Sequence, residues 1–146
     1  MKELLTALVK AKLEFKPIKK DRVNPHYKNA YATLDSVLES VEPALLANGL
    51  LISQRLIVGE NSRCCLVTEL YHTSGQKLES FYDLPDEDNP QKKGIAITYA
   101  RRYSVCAILS VTADEDDDGN GASLPSSSYS KSSSKTSKSN STGDAW

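Results

Sequence analysis

The chain has 146 residues and a formal net charge of −1, with 18 basic and 19 acidic side chains, so it is not a basic protein overall. No apolar run approaches the roughly 20 residues of a membrane-spanning helix, which excludes a transmembrane protein. Cys64, Cys65 and Cys106 form no CxxC pair, and an odd number of cysteines without a signal peptide indicates buried thiols in a reducing cytoplasm.

The first third of the chain predicts two helices joined by a connector. Residues 3–15 place apolar side chains at helical spacing, and residues 19–31 are polar and basic. Thr33 is the expected N-cap of a second helix, which Pro43 should kink or split and which Gly49 should end. The predicted buried positions are Leu4, Leu8, Ala11 and Phe15 in the first helix and Leu34, Val37, Leu38, Val41 and Leu45 in the second.

The middle of the chain changes to the composition of β-strands. Residues 50–58 and 63–73 are rich in β-forming side chains, and a turn at 74–76 leads to a third strand over 77–84. Three consecutive strands joined by short turns predict an antiparallel meander.

A long helix follows the meander, capped by Asn89 and Pro90. One arc of this helix should pack on the sheet, and its final turns are apolar on every side. A three-stranded sheet cannot cover them alone, so a second subunit is expected there. The order α-α-β-β-β-α predicts an α+β domain. The expected core arc consists of Ala96, Tyr99, Ala100, Tyr103, Cys106 and Ala107.

The C-terminal residues have a different composition from the rest. Residues 123–146 are almost entirely Ser, Lys, Thr, Gly and Asn, and such a segment cannot bury enough apolar surface to offset its chain entropy. We therefore expect one folded domain over residues 1–122 and a disordered tail over 123–146.

Cations stand beside tyrosines in two places. Residues 10–28 carry seven cations against Glu14 and Asp21, and residues 89–103 carry four cations and no acid. Such surfaces suit a phosphate backbone and its bases, although a solvated lysine-rich loop is the alternative. We expect Tyr99 and Tyr103 to pack in the core, and Tyr27 and Tyr31 to stack on bases. The predicted DNA-binding residues are Lys19, Lys20, Arg22, Tyr27, Lys28, Tyr31, Lys92, Lys93, Arg101 and Arg102.

Motifs for other activities are missing or incomplete. No GxxxxGK[ST] loop is present, which excludes a P-loop ATPase. His26 and His72 have no metal-ligand or triad spacing, so no catalytic residue, metal or cofactor is predicted. The acidic run 114–118 begins like a calcium loop, but Pro125 stands where the bidentate Glu is required. The run is a solubilising patch, a salt-bridge partner for a basic neighbour, or a negative gate beside a DNA path.

Short motifs in one order connect residues 15–121 to a known family. They are Lys20-Asp21, Asn24-Pro25, Tyr31-Ala32-Thr33-Leu34, Pro43-Ala44-Leu45-Leu46, Gly49-Leu50, Gln54, Thr68-Glu69-Leu70, Ser74-Gly75, Gln91, Gly94, Thr98-Tyr99-Ala100-Arg101-Arg102-Tyr103 and Asp116-Asp117-Asp118-Gly119-Asn120. In this order they resemble the ERF (essential recombination function) family of phage single-strand annealing proteins. The larger C-terminal portion usual in that family is reduced here to the Ser/Lys tail.

The resemblance implies a β-β-β-α core and ATP-independent annealing of complementary single strands, without enzymatic chemistry. The implied partners are single-stranded DNA, the annealed duplex and further copies of the chain in a ring or filament. The implied location is the cytoplasm of a bacterial host, where a single-strand-binding protein or a phage exonuclease would be a further partner. The alternatives are a protein that coats single strands without annealing them, and a metal-dependent nuclease that uses the acidic run.

Overall fold

A computed structural model describes residues 1–59 and 62–114. Three helices and a three-stranded antiparallel sheet follow in the predicted order, which confirms the α+β class. A short hairpin, β1–β2, was not predicted. The predicted disordered tail and the domain boundary at residue 122 lie outside the described residues. The elements are α1 (Lys2–Leu13), β1 (Arg22–Val23), β2 (Ala30–Tyr31), α2 (Leu34–Ala47), β3 (Leu50–Val58), β4 (Cys64–His72), β5 (Lys77–Asp83) and α3 (Pro90–Leu109).

Strand β4 lies at the centre of the main sheet, hydrogen-bonded to β3 on one side and β5 on the other. Leu50 pairs with His72 and Val58 pairs with Cys64, so β3 and β4 are joined along their full lengths. Both connections reverse the chain between neighbouring strands. The predicted antiparallel meander is therefore confirmed, with strand ends within one residue of those expected.

The helices pack against one face of this sheet. Because side chains alternate between the two faces of a strand, Leu66 and Leu70 of β4 point to the same side. Leu70 joins the main core with residues of all three helices, while Leu66 packs with Ala100 of α3. The most deeply buried members of the main core are Leu4, Ala11, Val37, Val41, Leu45, Leu50, Leu70, Val105 and Leu109.

The last turns of α3 lie inside the core of the chain itself. Val105 and Leu109 are at most 1% exposed and share one apolar cluster with α1 and α2. The Lys12 ammonium donates to the Leu109 carbonyl at 2.9 Å. The argument that a second subunit must cover these turns was wrong, because the two N-terminal helices cover them.

The helix ends follow the sequence signals closely. The Thr33 hydroxyl accepts a hydrogen bond from the amide N–H of Ser36 at 3.2 Å, and the Asn89 side chain accepts two from the first turn of α3. Gly49, just beyond α2, has φ +71°, where glycine avoids the strain that a side chain would cause. Helix α2 continues through Pro43, so the proline does not split it.

The opposite face of the sheet combines exposed apolar side chains with one buried carboxylate. Leu51 and Phe81 are more than half exposed. Glu69 is 2% exposed and accepts hydrogen bonds from Lys77 Nζ at 2.9 Å and Arg55 Nε at 3.2 Å. These two contacts, led by that of Lys77, lower the pKa of the Glu69 carboxyl to about 2.

Candidate nucleic-acid interface

A cleft of about 880 Å³ lies between the β1–β2 hairpin and helix α3. The hairpin forms one wall, one face of the first half of α3 forms the other, and the end of the described chain reaches it at Asp114. Volumes of this size are typical of sites for organic ligands. The lining residues are Asn24, Pro25, Tyr27, Asn29, Ala30, Tyr31, Thr33, Leu34, Gln91, Gly94, Ile95, Thr98, Tyr99, Arg102, Tyr103 and Asp114.

The hairpin wall is built by turn-forming residues. The side-chain oxygen of Asn24 accepts from the amide N–H of His26 at 2.9 Å, and the Asn24 carbonyl accepts from that of Lys28 at 2.8 Å. Lys28 has φ +55°, a conformation that tight turns impose. Tyr27 therefore stands at the tip of the hairpin, 74% exposed and lining the cleft.

The hairpin is tied to the rest of the fold at its second strand. The Ala32 amide N–H donates to the Ala113 carbonyl at 2.7 Å, and Tyr31 forms an isolated β-bridge with Asp114. The segment after α3 thus adds backbone pairing next to β2. This pairing positions the hairpin wall relative to α3.

Helix α3 supplies the other wall because its lining residues recur at helical spacing. Gln91, Ile95, Thr98 and Arg102 are three or four residues apart and so lie on one side of the helix. Gly94 also lines the cleft, and a Cβ built on it would meet no atom within 4 Å. Packing within the chain therefore does not require glycine at this position.

Arg102 lies at the base of the cleft and is only 6% exposed. Its Nη1 donates to the Ala32 carbonyl at 3.1 Å, and its Nη2 lies 3.8 Å from Asp114 Oδ1. The guanidinium carbon is 4.6, 5.0 and 5.2 Å from the ring centroids of Tyr31, Tyr99 and Tyr103. A cation at this distance from aromatic faces is attracted by each of them. Burial and these partners argue against the phosphate contact predicted for Arg102.

Tyr99 and Tyr103 form a pair on the α3 wall. Their ring centroids are 4.6 Å apart, and the Tyr103 hydroxyl donates to the Tyr99 hydroxyl at 2.9 Å. Burial, followed by the hydrogen bond to Tyr99, raises the pKa of Tyr103. Tyr99 is 51% exposed, so the prediction that it packs in the core was wrong. The reason is that the sheet contacts the Ala100 side of α3, which leaves Tyr99 facing the cleft.

The predicted cations are distributed around this cleft rather than inside it. Arg22 pairs with Tyr31 across the hairpin, Lys28 lies between two lining residues, and Lys92 follows a third. All three are exposed. Lys92 is also seven residues before Tyr99, two helical turns along the same side of α3, whereas Lys93 points about 100° further round.

Arg101 and Arg102 point in different directions, as their helical spacing predicts. Arg101 is exposed, and its Nε donates to the Gln54 side-chain oxygen at 3.1 Å. The Gln54 amide donates in turn to the Thr68 hydroxyl at 2.9 Å. Arg101 therefore lies beside strand β3, on a different side of α3 from the base of the cleft.

The connector that carries Lys19 and Lys20 is anchored to the start of α2. The Asp21 carboxylate accepts from the Thr33 amide and the Thr33 hydroxyl, both at 2.8 Å. The backbone contact, followed by the hydroxyl, lowers the pKa of Asp21. The Ser36 hydroxyl donates to the Lys19 carbonyl at 2.6 Å. Both lysines are exposed on a segment whose backbone is fixed by these contacts.

The part of the chain that the structure describes was also searched for metal sites and membrane spans. Within it, no three His, Cys, Asp or Glu side chains come together as possible metal ligands. None of its helices has both the length and the apolar composition needed to cross a membrane. The acidic run was a candidate for metal binding, but 115–118 lie outside the described residues.

Comparison with known proteins identifies the family. The model of the ERF superfamily matches residues 4–145, nearly the whole chain. No curated protein and no solved structure matches the chain. The family match agrees with the motifs along residues 15–121, several of which build the cleft: Asn24-Pro25 forms the hairpin turn, and residues 98–103 form the tyrosine wall. The chain therefore belongs to the ERF superfamily.

Proposed function

We propose that this protein binds single-stranded DNA and anneals complementary strands without ATP, as an oligomer, in phage-type homologous recombination and repair. The observation that carries the proposal is the cleft, where tyrosines line the interior and exposed cations lie on the surrounding elements. Membership of the ERF superfamily supports the same activity. We place the annealing domain in residues 1–122 and assign the protein no enzymatic chemistry.

The cations would hold the strand through its phosphates. Arg22 and Lys28 on the hairpin, Lys19 and Lys20 on the connector, and Lys92 on α3 are exposed and carried by fixed backbone. Contacts of this kind do not depend on base sequence and weaken as salt concentration rises. Lys93 and Arg101 lie on other sides of α3 and would extend the path beyond the cleft.

Annealing would follow from holding a strand without consuming its pairing edges. Bases that are neither stacked in a helix nor buried against the protein remain free to test a complementary strand. Each stacked base-pair step formed then contributes about 1.4 kcal/mol, so the product forms without a nucleotide cofactor.

Self-association would use the exposed side of α1. Leu5, Val9 and Leu13 recur every four residues and are 48%, 63% and 85% exposed. Three apolar side chains in one stripe are more than isolated surface residues require. We place a contact between copies of the chain there, with Val9→Lys expected to reduce the size of the assembly.

The test is an annealing assay without ATP or metal, using two complementary labelled oligonucleotides. We expect the protein to accelerate pairing over the protein-free rate and to lose this effect at high salt. Binding without acceleration would identify a strand-coating protein instead. Magnesium-dependent loss of the label would identify a nuclease. A host single-strand-binding protein or a phage exonuclease would be tested as partners only after acceleration is seen.

A triple variant, Arg22→Ala, Lys28→Ala and Lys92→Ala, locates the activity at the cleft. Three lost phosphate contacts should reduce the salt dependence of single-strand binding by about 2 in the log–log slope. The matched control replaces Lys2, Lys10 and Arg63, which are also exposed and carry the same total charge. Equal losses in both variants would show that only net charge matters.

A further inference from the structure

The interior of the cleft has the chemistry of a nucleobase site, which the phosphate contacts alone do not explain. Tyr27 and Tyr99 offer exposed aromatic faces from opposite walls, 74% and 51% exposed. Stacking of one base on such a ring contributes about 1–3 kcal/mol. The two rings belong to different elements, so a flat group entering the cleft meets an aromatic side chain on each wall.

Polar groups near these rings match the edge of a base. Asn24, Asn29 and Gln91 carry amide side chains, and Thr98 carries a hydroxyl. Amides and hydroxyls both donate and accept hydrogen bonds, as the pairing edges of all four bases require. The only carboxylate in the lining is Asp114, which faces Arg102. The lining therefore presents little negative charge to an incoming nucleotide.

The tyrosine wall is held in place before any ligand arrives. The Arg102 guanidinium lies against Tyr31, Tyr99 and Tyr103, and it is fixed by the Ala32 carbonyl. A second restraint is the hydroxyl contact between Tyr103 and Tyr99. Rings that are already ordered lose little conformational freedom when a base stacks on them, so less binding free energy is lost.

From these observations we propose that the cleft takes an unstacked nucleobase of the bound strand between the hairpin tip and α3, with its phosphates outside on Arg22, Lys28 and Lys92. This inference rests on the proposed function, since it requires that a single strand binds here. Tyr27 and Tyr99 contact the base, and Arg102 is a positioning residue that acts through the tyrosines. A base held in this way is removed from pairing until the strand is released, so pairing begins at neighbouring bases.

The experiment compares two oligomers of equal length and charge, one of thymidines and one of abasic sites, at one salt concentration. The protein should bind the thymidine oligomer at least fivefold more tightly, the lower end of one stacking interaction. Tyr99→Ala and Tyr27→Ala should each reduce that ratio, and Tyr99→Phe should preserve it. Phe81→Ala, which removes an exposed aromatic ring from the far face of the sheet, should leave it unchanged.

A fluorescent base within the strand gives an independent readout on the unmodified protein. Quenching of 2-aminopurine by the parent, lost in Tyr99→Ala at equal strand occupancy, would support the site. Equal affinity for both oligomers, in a protein that still accelerates annealing, would overturn the nucleobase site and leave the proposed function intact. No binding to either oligomer would overturn both. Displacement of the strand by equimolar free thymidine monophosphate would identify a mononucleotide site and overturn the inference.

Discussion

Arg102 and Glu69 are both ionised side chains held away from water, one beside the cleft and one on the far face of the sheet. Glu69 obtains its partners locally: Arg55 and Lys77 stand on the two strands that flank β4, and both are exposed. Arg102 obtains its partners from a distance, since Ala32 is 70 residues earlier and Asp114 lies beyond the end of α3.

The difference concerns what each buried charge organises. The partners of Glu69 would occupy nearly the same place without it, because backbone hydrogen bonds already join the three strands. The partners of Arg102 belong to the hairpin and the chain after α3, and little else between those elements is charged. We infer that Glu69 adds stability to a structure already formed, whereas Arg102 holds together the two walls of a site.

The largest effect that would sharpen this comparison is that of Arg102→Ala. It removes a donor from the carbonyl of Ala32, a residue with no exposed surface, and a cation from three rings. We expect a loss of about 2–4 kcal/mol in the free energy of unfolding, with weaker single-strand binding. Urea denaturation and a binding titration measure the two effects.

Arg102→Lys is the matched control, because lysine keeps the charge but not the planar donor group that faces rings and carbonyl together. We expect it to restore less than half of the lost stability. An Arg102→Ala protein that is as stable as the parent but binds DNA poorly would contradict the positioning role. It would support the phosphate contact predicted from the sequence.

Glu69→Gln should have a smaller effect at neutral pH, because its two partners are exposed and can be hydrated again. Its pH dependence is the sharper test. The pKa of folded Glu69 is about 2, below the ordinary 4.5, so its stabilisation is present above about pH 4.5 and is lost as pH falls toward 2. The parent should therefore lose more stability than Glu69→Gln between pH 6 and pH 3, as melting temperatures would show. Parallel pH profiles would contradict this.

Lys92→Ala and Lys93→Ala should differ in their effect on DNA binding. The two residues are adjacent and exposed, but only Lys92 lies on the tyrosine side of α3. We expect Lys92→Ala to lower the salt slope of single-strand binding by about 0.7 and Lys93→Ala to change it less. The order reversed would place the DNA path outside the cleft.

The same comparison separates what the sequence could predict from what it could not. The caps at Thr33 and Asn89 and the meander depend on residues close together in the chain, and each was predicted. The hairpin was missed because β1 and β2 have only two residues each, too short for an alternating pattern. Asn24-Pro25 and Asn29 were the available signal, since such residues favour tight turns.

The cleft itself could be predicted only in part. Tyr27 and Tyr31 were assigned to base stacking from their cationic neighbours, and both line the cleft. Tyr99 was assigned to the core because helical spacing placed it with Ala100, and spacing alone cannot show where the covered arc ends. The burial of Arg102 depends on Ala32 and Asp114, contacts across many residues that no local pattern contains.

The smallest predicted effect distinguishes a glycine needed for the fold from one beside the cleft. Gly94→Ala should raise the free energy of unfolding by about 0.5–1 kcal/mol, because alanine favours the helix and its Cβ meets no atom within 4 Å. Gly49→Ala should lower it, since φ is +71° and the new Cβ would lie 3.0 Å from the Thr73 hydroxyl oxygen. If a strand enters the cleft, Gly94→Ala should also weaken binding while it stabilises the protein, because the methyl group stands on the cleft wall. A stabilised variant with unchanged strand affinity would place the DNA away from the first turns of α3, and the comparison between the two buried charges would then concern folding alone.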